Sequence, residues 1–383
     1  MNLLHRYVFK QIVAATAMAV VLFVFVLVLG NVLREVLDRL ANGQIDLPMF
    51  GYLLVNYIPG VIPYALPLGL LTAVLLVVGR MCAQREYTAM RAAGLSLWSL
   101  AAPIMLVACL GAALCLFINL YYAPAADRAV KVALTNLVRQ DPSRLFIPGS
   151  YVRDFRGYVI RAGGRDGPQL LDVWIWKLDD QGRASVCVHG SRGHLDYNPA
   201  TDYLTLVMDK DSEGAEQSYN PADPNYLPNV KTGGPQFNGG GYPLKLSDLV
   251  GASTPFTKFS LLTVDELLVL RDNYPRNLPP PEPKKLAIWR MDVQMQIQRD
   301  FAGAFSVLAL ALLGLPLSLR VGRAENFVNL ALALGLALVY YFLLFSINLL
   351  HTHPELRPDL VLWLPNFIFE GLGLWMLYRA AKR

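Results

Sequence analysis

Few residues in this 383-residue chain are spaced for chemistry. Its four cysteines, Cys82, Cys109, Cys115 and Cys187, show no C-x-x-C spacing. Only Cys187 lies in the long polar middle, so that region cannot close an internal disulfide. His351 and His353 flank Thr352; such a pair could hold a metal weakly, but a polar loop is the simpler reading. There is no Gly-Lys pair for a phosphate-cradling loop, no H-E-x-x-H zinc motif and no G-x-S-x-G nucleophile elbow. Nor do the apolar runs hold the paired carboxylates an intramembrane protease needs. The sequence therefore predicts no catalytic residue, no metal site and no cofactor bound by this chain. One carboxylate does stand deep in an apolar run: Glu370, within PNFIFEGLGLW. Unpaired at membrane depth it would cost about 3 kcal/mol or more. It should be protonated or paired, which leaves a structural role and an ion-coupling role both open.

The elements that would carry these residues are mostly membrane helices. Charged residues are only 16% of the chain and apolar residues 54%, against roughly 25% charged in soluble domains. The net charge of +5 is too small to suggest nucleic acid and suits a polytopic membrane protein with basic loops. A bilayer needs about 20 apolar helical residues. Six runs qualify: Ile12–Val32, Tyr52–Gly79, Leu97–Tyr121, Phe301–Leu319, Phe327–Leu349 and Leu360–Leu377. The first is too long for a signal-peptide core and no A-x-A site closes it. Arg6, Lys10, Arg80, Arg85, Arg91, Arg320, Arg323, Arg379, Lys382 and Arg383 fall on one side. The two short loops opposite hold only Arg34, Arg39 and Arg357. The positive-inside rule then puts both termini in the cytoplasm.

The interval from 123 to 300 is then extracytoplasmic and too long for a loop. GYVIRA, LLDVWIWKL, ASVCVHG, GHLDY and YLTLVMD are short, β-branched or aromatic, and bounded by turn formers, which predicts an antiparallel sandwich or roll. Asp211–Pro243, rich in Gly, Pro and Asn, reads as an extended or mobile insertion. Thr263 to Glu266 forms a capping box ahead of a short helix, and PRNLPPPEP, Pro275–Pro283, reads as a stiff linker. The expected fold class is membrane α plus β. A three-helix half spans 1–122, a β domain 123–300, and a second three-helix half 301–383.

Between the second and third runs lies REYTAMRAAG, Arg85–Gly94, a compact Ala-rich helix where a plain polar turn would connect the spans. AQREYTAMRAAGLS, together with LLGLPLSLRVGRAENF (Leu312–Phe327) and WLPNFIFEGLGLWMLYR (Trp363–Arg379), resembles the lipopolysaccharide-export permeases of the LptF/LptG type. The match covers nearly the whole chain, with the Gly/Pro/Asn insertion and the PPPEP linker as departures. The wording of the first segment leans toward the G-like paralogue.

That resemblance implies an inner-membrane, multi-pass subunit of an ABC exporter with a periplasmic jelly-roll-like domain. Its partners would be a homologous LptF/LptG-type permease, a dimeric LptB-type ATPase that holds ATP and Mg, an LptC/LptA-type periplasmic bridge, and lipopolysaccharide itself. The helix at about 84–94 would be the coupling helix. Glu86 would meet an arginine of the ATPase, Ala89, Ala92 and Ala93 would seat closely in its groove, and Met90 would be an adaptable anchor. Arg91 would add charge, and Gly94 would end the helix in the left-handed conformation. Arg34 and Arg39 would meet lipid phosphates, although Glu35 and Arg39 also form an i, i+4 pair. Tyr340, Tyr341 and Phe342 would lie at a lateral gate, or simply pack. A permease for another envelope lipid or lipoprotein, and an ion-driven carrier, remain the alternatives.

Overall fold

The computed structural model describes residues 3–153, 157–179, 181–198, 203–208, 214–218, 229–232, 242–245, 259–273, 283–321, 326–349 and 354–382. His351, His353 and most of PRNLPPPEP lie outside them. Two compact units form: 1–33, 54–128 and 259–383 make the first, 34–53 and 129–258 the second.

The first unit is helical. Among the described residues the α-helices are α1 (Leu3–Leu27), α2 (Arg34–Ala41), α3 (Leu47–Ala83), α4 (Glu86–Ala92), α5 (Leu97–Phe117), α6 (Ala123–Gln140), α7 (Val264–Asp272), α8 (Pro283–Val321), α9 (Asn326–Asn348), α10 (Pro358–Val361) and α11 (Leu364–Ala381). Among the described residues, five helical stretches are long and apolar enough to cross a membrane: Leu3–Gly30, Leu47–Ala83, Leu97–Gln140, Leu286–Leu319 and Pro358–Ala381; α9 adds a shorter apolar run, Ala331–Ile347. All six expected spans fall on these helices. The third run does not stop at Tyr121. A π turn, Ile118–Tyr122, carries it straight into α6, so helix continues 18 residues into the expected β domain. The fourth begins far ahead of Phe301, because α8 is 39 residues long. Thr263 and Glu266 form the expected capping box of α7, whose carboxylate is also bound by Arg128.

Lipid tails supply no hydrophobic drive between helices, so close contact must come from shape and small residues. Leu70, Val74, Val78, Leu100, Ile104, Ala108, Val307, Ala311 and Leu315 interlock α3, α5 and α8. Leu71, Leu310, Tyr340 and Phe369 add α9 and α11. Two glycines stand at close helix crossings. A Cβ on Gly69 would lie 2.5 Å from Val20 Cγ2 of α1, and one on Gly373 would lie 2.9 Å from the Leu312 carbonyl of α8. That carbonyl is the one Pro316 leaves without its helical N–H partner.

Among the described residues the second unit holds an eight-stranded, wholly antiparallel sheet. Strands β1 (Tyr151–Val152), β2 (Tyr158–Asp166), β3 (Gln169–Leu178), β4 (Ala184–Asn198) and β5 (Tyr203–Met208) form a meander, with β8 (Tyr242–Lys245) beyond β5. β6 (Gly214–Ser218) and β7 (Asn229–Thr232) branch from β4. ASVCVHG and GHLDY thus join into one strand. Its residues 186–190 pair with β6 and 193–198 with β5, while β3 runs along its other edge. The sheet divides there. Ile160, Ala162, Leu170, Val173, Ile175, Val188, Leu204 and Leu206 line the core face. The stretch 211–243 contributes β6, β7 and the start of β8 to this sheet, and the rest of that expected insertion lies outside the described residues.

Candidate functional site

REYTAMRAAG folds as a short helix stopped hard at both ends. Arg85 ahead of it has φ 60, the left-handed region, which costs a non-glycine residue on the order of 1 kcal/mol. At the far end Gly94 has φ 80. Its N–H donates to the Arg91 carbonyl at 3.0 Å and the Leu95 N–H to Met90 at 3.1 Å, a complete Schellman closure. Ser96 then caps α5, its Oγ accepting from the Ser99 N–H. Two sharp reversals therefore bracket seven helical residues, holding them as a rigid knuckle between α3 and α5.

The knuckle has two faces. Tyr87 and Met90, three apart, pack on the core of the helical unit. Burial raises the Tyr87 phenol above its ordinary range, while Arg91 pulls it down. Ala89, Arg91, Ala92, Ala93 and Gly94 are exposed. Small side chains thus form much of the outward surface, while Met90 is half-buried and packs toward the core. Glu86 is half-buried and accepts long bonds of 3.4 Å from the Tyr7 hydroxyl of α1 at both carboxylate oxygens. One turn further along, Arg80 donates to Gln11 at 2.7 Å. Tyr7 and Gln11, absent from the sequence reading, tie the start of α1 to this segment.

Among the described residues of the helical unit, two cavities lie between helices. One, about 440 Å³, is apolar and lies between α1, α3 and α5, lined by Phe9, Val13, Val20, Leu66, Leu110 and Leu114 among others. The other, about 310 Å³, is mixed, with Tyr64, Asn119, Gln296, Asp300, Ser306 and Tyr341 on its walls. Hydrogen bonds between helices and within α8 frame the second. Asn119 Nδ2 donates to the Asp300 carbonyl at 3.0 Å, and Gln296 Nε2 to Asp300 Oδ1 at 3.0 Å. Tyr341 donates to the Tyr64 carbonyl at 3.1 Å.

The three aromatic residues of α9 separate. Tyr340 is fully buried and donates to Asn366 Oδ1 at 2.7 Å, while Asn366 Nδ2 donates to the Ala302 carbonyl at 2.9 Å. One amide therefore joins α9, α11 and α8. Tyr341 lines the mixed cavity. Phe342 is 64% exposed on the outside of the unit. The neighbouring stretch Trp363-Leu364-Pro365-Asn366 fixes the start of α11. Trp363 Nε1 donates to Gln298 at 2.9 Å, Pro365 sits in the first turn of α11 where its missing N–H is harmless, and Asn366 locks the helix to α8. Glu370 is half-buried on α11, and no described residue hydrogen-bonds it.

Arg34 and Arg39 lie on α2, in the second unit. The π turn Val28–Leu33 separates this amphipathic helix from α1. Val36 is buried, Arg34 exposed and Arg39 half-buried. After α2, the Gly43 carbonyl accepts from Arg165 at 3.2 Å, and Asp46 pairs with Arg144 at 3.2 Å. Arg34 is thus the freer of the two to meet an anion.

Comparison with family models matches residues 6–379 to the lipopolysaccharide export system permease LptF/LptG. Comparison with curated proteins gives no match.

Proposed function

The chain belongs to the LptF/LptG family of lipopolysaccharide export system permeases, and from that premise we propose that it is the non-hydrolysing membrane subunit of an exporter driven by a separate cytoplasmic ATPase. Both termini and α4 would face the cytoplasm and the β unit the periplasm. A homologous permease would complete the membrane cavity, and the sheet would pass lipid to a periplasmic bridge through an edge strand. The nucleotide and its magnesium would belong to the ATPase.

The observation that carries this reading is the knuckle itself. A subunit moved by an engine outside itself needs a stiff part that the engine can grip and that pulls on the spans. α4 has hard stops at both ends and a small-residue outer face. Tyr87 and Met90 root it in the bundle core, and the Tyr7–Glu86 and Arg80–Gln11 contacts join it to α1. Movement of α4 would then reach α1, whose side borders an apolar cleft shaped for acyl chains. Arg34, exposed just past the end of α1, would meet the phosphates.

The test is affinity purification in mild detergent. An ATPase should co-purify, with hydrolysis that depends on this chain and falls when Glu86→Lys reverses the charge on α4. Glu370→Gln should leave export intact; if it stops export while Glu86→Lys does not, the ion-driven reading replaces this one. Identification of co-purified lipid separates lipopolysaccharide from another envelope lipid.

A further inference from the structure

The last turns of α11 carry a feature that the proposed grip and export route do not use. Trp375, Tyr378, Arg379 and Lys382 stand at i, i+3, i+4 and i+7, one face of a helix. Gly373 and Leu377 turn inward and are buried, so this face points away from the bundle, with Trp375 54% and Tyr378 56% exposed. The Arg379 guanidinium lies 5.5 Å from the Trp375 ring centroid, and the Lys382 ammonium 4.5 Å from that of Tyr378. The four side chains line a surface groove of about 460 Å³, with no acidic residue among them.

Each cation–π pair holds a positive head against the helix rather than letting it roam in water. The apolar run of α11 ends here, at the level where Trp and Tyr rings prefer the membrane–water boundary. Toward the membrane interior the same face continues through Leu372 and Ile368, both exposed, past Gly371, where a side chain would meet nothing within 4 Å. The surface therefore pairs two cations at the boundary with an apolar strip below them. That is the chemistry of an anionic headgroup with an acyl chain.

We propose that this face of α11 binds an anionic glycerophospholipid of the leaflet it borders, the phosphate between Arg379 and Lys382 and a chain along Trp375, Leu372 and Ile368. A free phosphate would use only the charges, in high dielectric, and leave the strip bare. The proposal rests on α11 as a membrane span and holds whatever the cargo is.

The full-length chain in phosphatidylcholine nanodiscs carrying a minor fraction of phosphatidylglycerol tests it, with native mass spectrometry reading the retained lipid. Phosphatidylglycerol should be enriched on the wild-type chain. R379Q/K382Q should lower that enrichment roughly thirty-fold, the worth of two interfacial cations, and leave phosphatidylcholine retention unchanged. R379K should keep most of it, and R271Q, at an exposed arginine away from this face, all of it. Should the double variant fail to fold, K382Q alone should cost roughly fivefold. Equal retention of the two lipids by the wild-type chain overturns the proposal, as does enrichment that survives these charge changes. Displacement of phosphatidylglycerol by inorganic phosphate would assign a free-anion site instead.

Discussion

Gly373 offers the sharpest test of how the helical unit is held together, because a matched control lies two residues away. A Cβ at Gly373 would sit 2.9 Å from the carbonyl carbon and oxygen of Leu312 and from the Leu313 nitrogen. Ordinary carbon contacts lie near 3.5–4.0 Å, so α11 must withdraw from α8 by on the order of 0.5–1 Å. No rotamer change can relieve this, since all three atoms are backbone. Opening a packed interface by that distance forfeits a quarter to a half of each contact's dispersion energy, and overpacking of this kind costs about 1–3 kcal/mol. Gly371 is on the same helix, exposed, with nothing within 4 Å of a built Cβ.

Replacing glycine by alanine in a helix also gains about 0.5–1 kcal/mol from lower backbone entropy in the unfolded state. Both positions share that gain, so the difference between G373A and G371A isolates the clash. G371A should be neutral or slightly stabilising, G373A destabilising, and the gap about 1–3 kcal/mol. For a unit of this size that is a few degrees of melting temperature, readable by thermal unfolding of the full-length protein in one detergent. G373V should widen the gap. If G373A melts with G371A, the close approach of α11 to the carbonyl freed by Pro316 is wrong.

Further predictions follow from the same side chains. N366A and Y340F should each destabilise the protein by about 1–3 kcal/mol, since each strands a buried polar partner, and the double variant should cost less than their sum in thermal unfolding. G94V, which forces a branched side chain into φ 80, should fray α4 and lower chain-dependent ATPase stimulation, while R85G should leave stimulation intact and raise stability. Asp172 is held below the usual carboxylate range by its bond from His189 Nε2 at 2.8 Å, then by the Trp174 indole. Its contribution is therefore present above the ordinary carboxylate pKa and lost as pH falls through the lowered one. H189A should flatten the acid limb of unfolding followed by tryptophan fluorescence; an unchanged limb refutes the assignment.

How much of this was legible in the sequence depends on which physical demand left a trace. A bilayer requires long apolar runs, so the spans were plain. The true start of α8 was hidden, because Val293, Met295 and Ile297 alternate with glutamines and show no helical stripe. The structure explains the pattern. α8 is surrounded, and its polar positions are used as well, Gln296 against Asp300 and Gln298 against Trp363. Gly190 and Gly193 read as strand breakers, yet β4 continues because β3 pairs along it while the opposite edge passes from β6 to β5. Local punctuation is overridden where a continuous partner supplies the hydrogen bonds.

The candidate site divides along the same line. Gly94 as a helix stop, and the exposure of Ala89 and Ala93, follow from local chemistry and were readable. The inward turn of Met90 was not, because an exposed anchor and a buried one have the same sequence in a seven-residue helix. Tyr7 and Glu86 are 79 positions apart, and Arg80 and Gln11 are 69 apart. No local pattern encodes such pairs. They decide whether the knuckle is a free handle or a jointed one. A free handle would move without consequence; α4 is bound to α1 by side chains and to the bundle core by Tyr87 and Met90. A Y7F/Q11L variant should therefore keep the ATPase bound through the unchanged outer face of α4 while uncoupling hydrolysis from lipid release, measured together in proteoliposomes. If release stays coupled in that variant, the force reaches the spans through the core contacts alone.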